Sequence, residues 1–105
     1  MTQAKMIRIT SVGVVTEKEL DHVPDYKELN DALDGGHIEV IPRFNRFRGE
    51  LCYAFCDEEG KLKGLPFNAT ATKLWERCWE YAGTLDHLVG PIVIIVGSPD
   101  FLSKL

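Results

Sequence analysis

Arg43, Phe44, Asn45, Arg46, Phe47 and Arg48 form a run of three cations and two aromatics with no acid among them. Interleaved cations and aromatics suit a single-stranded nucleic acid, whose bases stack while its phosphates pair, or an acidic protein surface. The plainer alternative is a strand-connecting loop, with the phenylalanines tucked under and the arginines paired to nearby carboxylates. A second candidate is Asn68, Thr70 and Thr72 at an expected helix start, with Lys61 and Lys63 just before it. Helix N-termini expose unpaired N–H groups and attract anions, so a phosphate or nucleotide site is reasonable there. Simple capping is the competing reading, since every helix start needs it. The stretch from Gly60 to Gly64 holds glycine and lysine but lacks the P-loop spacing.

Catalysis finds less support. Nucleophilic chemistry needs a thiol or hydroxyl beside a base. Cys52, Cys56 and Cys78 all map to apolar faces, where a free cysteine behaves as a small hydrophobe. Cys52 and Cys56 sit four apart in an apparent strand, about 13 Å between Cα atoms. A disulfide needs less than about 7 Å. His22, His37 and His87 are scattered, with no local pair of metal-ligand spacing. Glu39 lies inside an expected strand, where it could face a pocket or, by default, solvent. No catalytic residue, metal ligand or cofactor is assigned.

These residues must be positioned by a small chain. Its 105 residues fit a single domain, 1–105. The net charge of −4 is spread evenly, with seven Lys/Arg against nine Asp/Glu through Glu50 and five against seven after it. A duplex-DNA binder usually carries a basic face, so duplex DNA is disfavoured. The N-terminal residues lack an apolar h-region, and no apolar run approaches the ~20 residues of a membrane span. A cytoplasmic location with no membrane partner is expected.

Alternation of Ile7 and Ile9 with Arg8 predicts a strand over 5–10, a turn at 11–13 and a second strand over 14–18. A helix is expected over 25–33, with Asp25 and Glu28 as a capping box and Tyr26, Leu29 and Leu33 on one face. Asp34, Gly35 and Gly36 would end it. The next strand, 37–42, points Ile38 and Val40 one way and Glu39 and Ile41 the other. Residues 51–56 are apolar on both faces, which places that strand in the sheet interior. Residues 61–65 read as a short edge strand guarded by lysines. Ala71, Leu74, Trp75, Cys78, Trp79 and Ala82 then form an unbroken helical stripe, with Asn68 or Thr70 as N-cap and Gly83 as C-cap. Residues 92–96 are a β-branched run suited to a strand buried on both faces.

Three segments, GGHIEVIP (35–42), DEEGKLKGLPFNATAT (57–72) and LVGPIVIIVG (88–97), together resemble the small bacterial and bacteriophage family called domain of unknown function 3846. The resemblance spans residues 6–97, and its middle segment is the most specific. The stretch 43–49 is longer and more basic than the family pattern, and the helix KLWERCWEYAG is extended. The resemblance implies this order of elements and a phage or mobile-element origin. It carries over no catalytic residue.

The expected architecture is α+β: a mixed, mostly antiparallel sheet of about five strands with two helices packed on one face. The expected function is that of a phage-type accessory binding protein, non-enzymatic, engaging a host protein in the bacterial cytoplasm. Two alternatives stay open. One is small-ligand or nucleotide binding by Lys61, Lys63, Asn68, Thr70 and Thr72. The other is single-stranded nucleic-acid binding through Arg43, Arg46 and Arg48 with Phe44 and Phe47. A homodimer through a free sheet edge also stays open.

Overall fold

The computed structural model describes residues 4–78 and 86–105. Its element order is β1 (Ala4–Ile9), β2 (Val15–Leu20), α1 (Tyr26–Ala32), β3 (Ile38–Val40), β4 (Arg46–Phe47), β5 (Glu50–Asp57), α2 (Ala69–Glu76), β6 (Ile92–Gly97) and α3 (Pro99–Leu102). The fold is α+β. Its 6-stranded sheet runs β2-β1-β6-β5-β3, with β4 pairing β5 off that path. All pairings are antiparallel.

The central strand explains the rest. On β6, Ile92, Val93, Ile94 and Ile95 are wholly buried. An unbroken aliphatic run needs cover on both faces of its sheet. On one face Ile92, Ile94 and Val96 join Ile7, Ile9, Cys52, Ala54 and, from α2, Ala71 and Trp75. On the other, Val93 and Ile95 join Met6, Phe55, Leu29 and Leu33 of the α1 region, and Phe101 and Leu102 of α3. The helices are therefore divided between the faces rather than sharing one. The burial of β6 demands that arrangement.

Local signals set most boundaries. Asp25 accepts from the Glu28 backbone and Glu28 reaches back to the Asp25 N–H, so α1 starts on a capping box. Arg48 and Gly49 join β4 to β5, both at positive φ (52° and 82°). That combination is the tight hairpin turn whose twist matches antiparallel strands. Residues 61–64, expected as an edge strand, form turns instead. The Lys63 N–H bonds the Glu59 carbonyl and the Leu65 N–H bonds that of Gly60, so the backbone is satisfied locally. The fourth-turn partners of the α2 stripe, Trp79 and Ala82, and the expected cap Gly83 lie outside the described residues. Among the described residues, no helix is long and apolar enough to cross a membrane.

Candidate functional site

The pocket that stands out lies where α2 meets the β3–β5 margin of the sheet. Its volume is about 240 Å³. Alternation along β3 turns Ile38 toward the α1 side and leaves Glu39 and Ile41 on the α2 side. Glu39 pairs in register with Cys56 of β5, so both belong to the same wall. Trp75 enters from α2, one helical turn after Ala71, and its Nε1 donates to the Pro42 carbonyl at 2.7 Å. Leu88 closes the floor.

The segment 86–90 is held there by α2's own N-terminus. The Leu88 N–H donates to Thr72 Oγ1 at 2.9 Å, and the Asn68 N–H to the Leu88 carbonyl at 2.8 Å. The 57–65 turn packs on it closely: a Cβ added at Gly90 would come within 2.7 Å of Leu65 Cδ1. Four separate stretches of chain thus converge on one cavity.

Its charges are uneven. Glu39, Asp57, Glu58 and Asp86 line it, against Lys61. Lys61 is bonded to Asp86. Asp57 is buried and accepts from Lys63 Nζ at 2.7 Å and from the Glu59 N–H at 2.9 Å. Burial opposes its ionisation, but the Lys63 ammonium and that N–H outweigh the penalty and hold the carboxyl below its ordinary value. Lys61, by bonding Asp86, lowers that carboxyl as well. Among the described residues, no cation stands within ion-pair distance of Glu39 or Glu58.

Cys56 is the thiol in the wall. Burial above all, and then the carboxylates of Glu39 and Asp57, push it up to about 12. At neutral pH it is a protonated wall atom rather than a nucleophile. His87 sits 4.0 Å from Asp86 and meets the Phe67 ring edge-on at 5.8 Å. Among the described residues, no group of three His, Cys, Asp or Glu side chains is placed to hold a metal ion. An apolar floor with an acidic rim suits recognition of a molecule that is both apolar and positively charged.

Of the residues expected to bind a ligand at the start of α2, Lys61 alone lines the pocket. Asn68 is fully buried. Its Nδ2 donates to the Ile9 carbonyl at 3.0 Å and the Gly90 carbonyl at 2.9 Å, and its Oδ1 accepts from the Ala71 N–H at 3.0 Å. Thr72 is engaged with Leu88, and Lys63 with Asp57. Thr70 sits beside Gly13, its Oγ1 3.2 Å from where a Cβ there would stand. These groups brace the helix start and do not gather around a common space.

The arginine run is also taken apart. Phe44 and Phe47 are buried in the core beneath the sheet. They present no ring for a base to stack on. Arg48 pairs with Glu17, and its guanidinium lies 4.7 Å over the Phe47 ring. Arg43 and Arg46 are exposed, Arg43 at φ 64°. Glu58, Trp75, Asp86 and Leu88 also line the site, and no local sequence pattern marks them for it. The available signal was Glu39, which shares its strand face with Ile41 and so must look toward α2.

The family model described as Domain of unknown function (DUF3846) matches residues 4–103, and the chain belongs to that family. No curated protein and no solved structure matches it.

Proposed function

We propose that the protein is a non-enzymatic accessory binding protein of phage type, which engages a host protein in the bacterial cytoplasm through the α2–β3 pocket. The observation that carries this reading is the pocket's construction. It combines an apolar floor of Ile41, Trp75 and Leu88 with Glu39 and Glu58, which lack a cation partner among the described residues. Concave sites that pair apolar surface with fixed polar groups are where proteins recognise other molecules. The reactive candidates are spent otherwise, Cys56 by protonation and Lys61 by its bond to Asp86. The family resemblance supports the phage and host setting.

Affinity capture from a bacterial lysate tests the reading. The expected result is a stoichiometric partner retained by the wild type and lost by Glu39→Arg, which fills the pocket mouth with its own cation. No such partner, together with a bound metabolite in native mass spectrometry, overturns it.

Exposed Arg43 and Arg46 favour a second reading, single-stranded nucleic-acid binding by charge without aromatic stacking. It predicts binding that weakens steeply with salt and is lost when both become alanine.

A further inference from the structure

We propose that the pocket receives one basic side chain of a partner protein, an arginine or a lysine, with Glu39 and Glu58 as its counter-charges. This rests on the reading of the pocket as the recognition site and specifies what enters it.

The charge balance gives the sign of the occupant. Two of the four lining carboxylates are already matched, Asp86 by Lys61 and Asp57 by Lys63. Glu39 and Glu58 are exposed at the rim, with no ion-pair partner among the described residues. An anionic ligand would meet uncompensated repulsion there. The raised Cys56 thiol agrees: after burial, the carboxylates of Glu39 and Asp57 are the next causes, so the field at that wall is negative.

The shape gives its construction. Arginine and lysine carry a charged head on an apolar stem. The pocket offers the complement, with Ile41, Trp75 and Leu88 below and the carboxylates above. Its volume of about 240 Å³ falls under the ~300–1,000 Å³ of sites that enclose a whole small molecule. A single arginine or lysine side chain delivered by a larger surface fits within that volume.

The test uses the full chain, isotopically labelled, titrated at low salt with N-acetylarginine methylamide. Saturable shifts are expected at Glu39, Cys56 and the Trp75 indole N–H. Binding should weaken at least tenfold in the Glu39→Gln/Glu58→Gln double variant, and fall when NaCl is raised to about 0.5 M. Both substitutions are isosteric and at the surface, and an unchanged backbone spectrum verifies the fold.

Three results would overturn the proposal. One is no shift at these residues. Another is equal binding of the uncharged citrulline analogue or by the double variant. In that case the pocket remains a recognition site and only its charge preference falls. The third is free agmatine binding more tightly than the peptide-like probe, which would assign the pocket to a metabolite. The reading of the pocket as a recognition site fails separately, if a captured partner survives Glu39→Arg.

Discussion

The carboxylate of Asp57 occupies the space that a side chain on Gly36 would need. A Cβ added at Gly36 would stand 2.5 Å from Asp57 Oδ2, and Gly36 has a φ of 90°. The carboxylate cannot simply swing away, because the Lys63 ammonium and the Glu59 N–H both hold it. Gly36→Ala therefore combines left-handed backbone strain, about 1–2 kcal/mol, with a displaced buried ion. A loss of about 2 kcal/mol or more is expected in urea unfolding. A variant as stable as the wild type would show that Asp57 moves freely.

Asp57 also sets a response to acid. Its folded pKa lies below the ordinary value, so the unfolded chain binds the proton more readily. The carboxylate's contribution is complete above about pH 4, the unfolded value. It is lost as pH falls through the folded pKa. Urea midpoints between about pH 2 and 6 should fall more steeply for the wild type than for Asp57→Asn. Parallel curves would mean that the Lys63 contact contributes nothing to folding.

Asn68 is more than a helix cap. Asparagine and aspartate are about equally good at the N-cap, so capping alone predicts little change for Asn68→Asp. Here the amide also donates to two carbonyls, of Ile9 and Gly90, in a fully buried position. Aspartate would turn a carboxylate toward both. Asn68→Asp should cost at least as much as Asn68→Ala, about 2–3 kcal/mol. Near-wild-type stability of the aspartate variant would show that the two donor bonds are dispensable.

The elements legible in the sequence were those written in local pattern. The β1–β2 hairpin, the Asp25–Glu28 box and the doubly apolar β5 and β6 all carry their signals within ten residues. Residues 61–65 misled because alternating lysines imitate an edge strand, whereas Lys63 reaches back to Asp57 and the backbone closes on itself. The helix α3 is too short for periodicity to show in the sequence, since it has four residues. Its start was nonetheless marked by Ser98 and Pro99, a cap and a first-turn proline. The pocket was the least legible feature, since Glu39, Cys56, Trp75 and Leu88 meet only through tertiary packing. The Asn68 cap could be read, but its two donor bonds to distant carbonyls could not.

The strained arginine at position 43 separates stability from recognition. Arg43 holds a φ of 64°, which asparagine and glycine adopt more readily than arginine. Among the described residues no carboxylate pairs with it. Arg43→Asn should therefore raise stability, by about 0.5–1 kcal/mol. If Arg43 serves nucleic-acid binding, the same variant should bind single strands more weakly while melting higher. A variant that melts lower would show that the guanidinium supports the fold.

The last expectation concerns Cys56 as a reporter of the pocket's field. With its thiol pushed up to about 12, alkylation by iodoacetamide should be very slow at neutral pH and climb steeply toward high pH. Burial is the larger cause and Glu39 the next, so removing the Glu39 charge should lower the thiol's pKa without abolishing the shift. Site-resolved mass spectrometry of Glu39→Gln should show Cys56 reacting faster than in the wild type at the same pH. The direction is diagnostic, because a substitution that loosened the fold as a whole would speed the buried Cys52 as well. Cys52 is also raised to about 12, again chiefly by burial, but Glu39 is not among its causes. Faster Cys56 with unchanged Cys52 supports a negative charge acting on the pocket wall and excludes general unfolding. Equal acceleration of both would assign the effect to unfolding and remove Glu39 from the site's electrostatics.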